Sequence, residues 1–134
     1  MSGSIDVPEA SGGCTVLVVD DDEGIREAMG AVLVDEGHRV FTAANGREAM
    51  DRLQGGLRPA LILLDLMMPV MDGRQFRAAQ LADSRLRQIP VVVITAGGDS
   101  GPRREMAVQA WLPKPIELDR LLEEVDKHRP VGRA

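Results

Sequence analysis

At 134 residues the chain has room for one domain with a real core, and its 44% apolar and 28% charged composition is that of ordinary globular material. A formal net charge of −5 argues against general affinity for nucleic acid or anionic membranes, and two Phe, one Trp and no Tyr leave no base-stacking platform. The single Cys excludes an intramolecular disulfide, no apolar stretch approaches the ~20 residues of a membrane span, and no basic-then-apolar leader is visible, so a cytoplasmic setting is expected.

Residues 1–13 are rich in Gly, Ser and Pro and read as a mobile tail. Cys14 then precedes the apolar run Val16-Leu17-Val18-Val19, a first strand that ends on Asp20-Asp21-Asp22. Asp22 is also placed to cap a helix over 23–36, whose Ile25, Ala28, Met29, Val32 and Leu33 share one face and which Gly37 stops. A second strand over 38–43 leads to Asn45, an N-cap for a helix burying Ala49, Met50 and Leu53 and closed by Gly55-Gly56. The third strand, Ala60-Leu61-Ile62-Leu63-Leu64, ends on Asp65. In the loop beyond it, Met67, Met68 and Met71 read as packing residues. A helix from near Gly73 to about Leu81 turns Phe76 and Ala79 inward, and Pro90 announces a fourth strand over 91–95. A brief fifth strand over 110–112 precedes a final helix, about 117–128, with Leu118, Leu121, Leu122 and Val125 at helical spacing.

Strands that alternate with helices and carry unbroken apolar runs suit a parallel α/β sheet covered on both faces. The five-stranded option is the flavodoxin-like order 2-1-3-4-5, which sets the first and third strands side by side. Asp20, Asp21 and Asp22 then meet Asp65 at the carboxyl edge, where ligands bind in such sheets, and Thr95 and Lys114 arrive there from the fourth and fifth strands. Converging carboxylates repel unless a cation joins them, and with no His or Cys beside them they suit a hard, oxygen-preferring ion, Mg²⁺ before Zn²⁺. A lysine facing the acids can pair with Asp65 at rest and with a phosphoryl oxygen later, so the set fits phosphoryl transfer. The loop Asp20-Asp21-Asp22-Glu23-Gly24 is no phosphate cradle, which makes Asp65 the candidate nucleophile. Each element alone has an ordinary structural explanation, a helix cap, a strand end or a solvated lysine; their arrival in order at four strand ends is what carries weight.

The segments Val18-Val19-Asp20-Asp21, Asp65-Leu66-Met67-Met68-Pro69 with Met71-Asp72-Gly73, Ile94-Thr95-Ala96 and Leu112-Pro113-Lys114-Pro115 together resemble the receiver domain of two-component response regulators. The resemblance covers about residues 14–129, with a short tail over 130–134. It implies a phosphoacceptor signalling domain, not an enzyme with its own substrate. Asp65 would take a phosphoryl group from a sensor histidine kinase or a histidine phosphotransfer protein. It also implies Mg²⁺ held by Asp20, Asp21, Asp65 and the backbone carbonyl of Met67, with Thr95, Ala96 and Lys114 binding the phosphoryl oxygens. Pro115 would follow a cis peptide bond. Thr95 and Trp111 would form the switch, Trp111 standing where Tyr or Phe is more usual. The output would be a downstream protein on the face of the fourth helix, fifth strand and final helix, with the chain a monomer or weak dimer.

The sequence departs from the family between Thr95 and Lys114, where typical receivers have a few more residues. Gly97-Gly98-Asp99-Ser100-Gly101-Pro102 resists helix, so the fourth helix is expected to start near Pro102, run only through Met106 and be short and mobile. The positions that steer water onto an acyl phosphate in this family are Met67 and Gly97 here, neither able to orient it, so slow self-dephosphorylation is expected. With no output domain following, a stand-alone receiver and a fragment of a longer regulator or hybrid kinase both fit. An FMN- or nucleotide-binding domain of the same architecture lacks its phosphate loop. A haloacid-dehalogenase-type phosphatase would use Asp20 and Asp22 but lacks its later acidic pair. A degenerate receiver acting only as an interaction module is the remaining alternative.

Overall fold

The structure, a computed structural model, describes residues 13–96 and 106–129. The expected tails, apart from Gly13, and the expected fourth helix, apart from Met106, lie outside the described residues, as does Gly97.

Five parallel strands form one sheet in the order β2-β1-β3-β4-β5. They are β1 (Thr15–Val19), β2 (Arg39–Ala43), β3 (Leu61–Asp65), β4 (Val91–Thr95) and β5 (Ala110–Pro113). The described helices are α1 (Glu23–Asp35), α2 (Gly46–Gln54), α3 (Gly73–Leu81) and α4 (Leu118–Asp126). The unbroken apolar runs have a simple cause: successive strand residues point to opposite faces, and both faces are covered. Leu17, Val19, Ile62, Leu64, Val91 and Val93 join Ala49, Leu53 and Phe76 of α2 and α3 on one side. Val16, Val18, Leu61, Leu63, Val92 and Ile94 join Met29, Leu33, Leu121 and Val125 of α1 and α4 on the other.

The helix ends form where their chemistry directs. Asp22 accepts the backbone N–H of Ile25 at 3.1 Å, Asn45 accepts that of Glu48 at 2.9 Å, and Asp72 and Gln75 form a reciprocal capping box on α3. Gly37 stops α1 at φ 96°, a left-handed angle that costs a side chain-bearing residue energy.

Three inward assignments fail. Ala28 is exposed: the α1 stripe centres on Met29 and Leu33, and a residue about 100° round the helix from Met29 falls outside it. Leu118 is 49% exposed because the buried line of α4 runs through Leu121 and Val125, and its first residue stands clear of the sheet. Met67 is not a packing residue at 73% exposure, although Met68 is buried and Met71 packs against the core. The sequence reading also misses Arg77 and Gln80, both buried on the inner face of α3.

At the outer edge of the sheet, Arg52 donates from Nε to the Thr42 carbonyl at 2.6 Å, and its guanidinium carbon lies 5.9 Å from the centre of the Phe41 ring. Below β1, buried Cys14 donates its backbone N–H to His38 Nδ1 at 3.1 Å, with its thiol 3.6 Å from the same nitrogen. Nδ1 therefore accepts, and the ring is neutral with its proton on Nε2, which has no partner among the described residues.

Burial holds the His38 pKa below its ordinary 6.5; the charge of Arg129 adds to this, while Asp126, Glu36 and the Cys14 contact oppose it. A lowered histidine pKa favours the neutral folded state. Its contribution to stability is whole above about pH 6.5 and is lost as the pH falls below that value. Urea midpoints measured from pH 8 to pH 5 should therefore fall more steeply for the wild type than for His38→Gln. Part of the slope should remain in the variant, because burial lowers the His128 pKa as well.

Two glycines give opposite expectations. A Cβ on Gly30 would meet only Val40 Cγ1, at 3.7 Å, so Gly30→Ala should stabilise the protein by about 0.5–1 kcal/mol through helix propensity. On Gly73 it would lie 2.5 Å from the Asp65 carbonyl oxygen and 2.8 Å from Leu66 Cα, so Gly73→Ala should cost roughly 1–3 kcal/mol. Chemical denaturation of the two variants checks both signs.

Candidate functional site

Strand register builds the site. Val19 of β1 pairs with Leu64 of β3, so the residues that follow this pair, Asp20 and Asp65, stand side by side. Asp65 in turn pairs with Ile94, and Thr95 with Pro113, which sets Thr95 and Lys114 at the same edge. Thr95 is buried at its strand end, its carbonyl accepting the Lys114 backbone N–H at 3.1 Å. Ala96, the next residue, is exposed.

Carboxylate oxygens of Asp20, Asp21 and Asp65 lie within 4.8 Å of one another. Asp20 and Asp65 are buried and Asp21 is exposed, so the cluster has one open side. Lys114 Nζ bridges the two buried acids, 2.9 Å from Asp20 Oδ2 and 3.6 Å from Asp65 Oδ1. Its shorter contact is to Asp20, where the sequence reading paired it with Asp65. Asp20 is further fixed by the Asp22 backbone N–H on Oδ1 at 2.9 Å and by Arg26, which donates to the Asp20 carbonyl at 2.8 Å.

The loop after β3 is pinned at several points. The Gly73 N–H reaches the Leu66 carbonyl at 3.0 Å and the Gly46 N–H reaches that of Met71 at 2.8 Å. Between them, Met71 N–H donates to Pro69 at 2.7 Å across Val70, whose φ of 71° is strained for a β-branched residue. This tight turn leaves the side chains of Met67 and Val70 outside, at 73% and 77% exposure. The Lys114–Pro115 peptide is cis. Trp111, half-buried on β5, packs on the face of the sheet that carries α2 and α3.

The electrostatics record the crowding. Burial, and then the charge of Asp20, push the Asp65 carboxyl above its ordinary value; Lys114 and the Met67 backbone hydrogen bond pull the other way without cancelling them. For Lys114, burial works against the ammonium, but its bond to Asp20 and the charges of Asp20 and Asp65 outweigh it and the pKa rises. Two buried carboxylates thus share one ammonium, with a third carboxylate, Asp21, beside them on the open side. All-oxygen donors with an open side fit a hard divalent cation such as Mg²⁺.

It follows that Asp65→Asn should raise thermal stability in EDTA, by roughly 1 kcal/mol or about 4 °C in a domain of this size. Added Mg²⁺ should narrow that advantage by stabilising the wild type alone. Paired melting curves with and without the ion check both halves.

Comparison with known proteins gives a consistent result. A family model described as the response regulator receiver domain matches residues 16–126. The chain is 43% identical over 111 residues to response regulator Rre1 of Synechocystis sp., covering 80% of this chain and 48% of that protein. It therefore spans about half the length of that relative. It is 33% identical over 120 residues to sporulation initiation phosphotransferase F of Bacillus subtilis, covering 87% of this chain and 94% of that one. The chemotaxis response regulator CheY4 of Vibrio cholerae superposes with a TM-score of 0.76 at 32% identity, over 86% of this chain and 98% of that structure.

Proposed function

The chain belongs to the response regulator receiver domain family, the phosphoacceptors of two-component signalling, and from that membership we propose that its acceptor is Asp65. The flavodoxin-type and dehalogenase-type readings fall away with the family match. The observation that carries the assignment is the register of β1 against β3, which sets a buried carboxylate beside a second one and under a shared lysine.

In this reading an Asp65 oxygen attacks the phosphorus of a phosphohistidine on a sensor kinase or histidine phosphotransfer protein. The new P–O bond forms as the P–N bond breaks, and the imidazole leaves carrying the released electron pair. Asp20, Asp21 and Asp65, with the Met67 backbone carbonyl, would hold Mg²⁺, which when bound neutralises charge on the pocket and on the transferred group. Lys114 turns from the acids to a phosphoryl oxygen, a move its two existing contacts leave short. The Thr95 hydroxyl and the Ala96 backbone N–H donate to the other oxygens. The domain runs over 14–129 in this proposal and works in the cytoplasm; among the described residues no helix is long and apolar enough to cross a membrane.

The readout follows from what the new group demands. A dianion beside Thr95 draws the hydroxyl inward, and Trp111 on the adjoining strand repacks into the space released. The surface altered is that of the segment before β5, β5 itself and α4, and we assign a downstream protein to it. Met67 lies exposed beside Asp65 with no group able to orient water, so the acyl phosphate decays slowly.

Incubation with acetyl phosphate and Mg²⁺ should add the mass of one phosphoryl group to the wild type and none to Asp65→Ala, with EDTA abolishing the gain. The isolated phosphoprotein should hold its label, and Met67→Asn should shorten its lifetime. A wild type that never gains the mass would show instead a receiver that acts only by binding.

A further inference from the structure

The most unusual group outside the acidic pocket is a buried guanidinium on α3. Arg77 is 5% exposed, and burial lowers its pKa. Its donors are spent on backbone: Nε reaches the Met106 carbonyl at 2.7 Å and Nη2 the Ala107 carbonyl at 2.6 Å. Nη1 donates to Gln80 Oε1 at 2.7 Å, and Gln80 in turn donates from Nε2 to the Leu86 and Ile89 carbonyls, both at 2.9 Å. A planar fork that takes two successive carbonyls fixes a backbone in orientation as well as position. Ala107 has a φ of 49°, a left-handed angle, within the clamped pair. Two residues on, the Gln109 N–H donates to the Val91 carbonyl at 2.7 Å as the chain enters β5.

Packing alone does not call for this arrangement. An apolar side chain would fill the space under α3 without the cost of desolvating a charge, and buried polar networks of this kind specify one geometry over its neighbours. The geometry specified here lies between two parts of the proposed switch. The amino end of α3 is pressed against the Asp65 carbonyl through Gly73, and the clamped carbonyls stand just ahead of Trp111.

We propose that Arg77 is a positioning residue of the switch. Clamped to Met106 and Ala107, it makes α3 and the lead-in to β5 one unit, so that Trp111 repacks from a fixed base when Asp65 is phosphorylated. Remove the clamp and the acceptor still takes its phosphoryl group, but β5 loses its reference. This rests on the receiver function proposed above and adds a residue distant from the acidic pocket to it.

Trp111 is the chain's single tryptophan, so its fluorescence reports one site. The test compares wild type, Arg77→Met and Arg77→Lys, the last keeping the charge but not the fork. Each is treated with acetyl phosphate and Mg²⁺ and read by intact mass, by the change in Trp111 emission, and by amide exchange. Arg77→Met should gain the phosphoryl group to the wild-type extent, lose more than about half of the emission change, and exchange about tenfold faster over 106–110 while β1 and β3 stay protected. Arg77→Lys should fall between the two. The proposal is overturned if the folded variants give the wild-type emission change, or if Arg77→Lys loses protection evenly across the sheet, which would make the residue a general prop. Should the wild type itself fail to gain the mass, the receiver function fails; exchange over 106–110 then decides the clamp alone, unchanged protection in both variants refuting it.

Discussion

Everything at the carboxyl edge of the sheet follows from one repulsion. Asp20 and Asp65 are buried next to each other, with Asp21 on the open side, and a single ammonium divides itself between the two buried groups. Such an arrangement is stable only because the rest of the fold holds it. Both carboxylates ride on strands buried along their length, and parallel pairing leaves no freedom to slide them apart. The stored repulsion is what makes a cation fit this edge, because positive charge relieves a conflict among the carboxylates that one ammonium only partly offsets.

The sheet could be read from the sequence because its signals are local and redundant. Val16 to Val19, Leu61 to Leu64 and Val91 to Ile94 are apolar without alternation, which only a doubly covered strand tolerates. Asp22, Asn45 and Gly37 mark helix ends by side-chain chemistry and backbone freedom that act within a few residues. Once strand order is fixed, the acids, Thr95 and Lys114 must meet, so the site's membership follows from topology.

What escaped the sequence depends on contacts between distant segments. Nothing near Arg77 says that its charge will be buried, because its partners, Met106 and Ala107, come from the far side of β4 in sequence. A basic residue on a predicted helix is assigned to solvent, and so is a glutamine such as Gln80, which joins Arg77 inside. Met67 failed for another reason. Its exposure is set by the turn at Val70, and a positive φ at a β-branched residue is not a pattern that composition announces. Leu118 and Ala28 sit at the ends or margins of apolar stripes, where periodicity is least able to assign a side.

The Arg52 contact at the first edge of the sheet has a consequence for how copies of this chain meet. An open strand edge is a template for strand addition, and hence for aggregation, unless its backbone groups are occupied or its length is cut. At β2 the outward Thr42 carbonyl is already taken by a guanidinium that also covers Phe41. At the opposite edge β5 is only four residues long and ends in Pro113, which has no N–H to offer. Both borders are therefore poor templates for strand addition between copies of this chain.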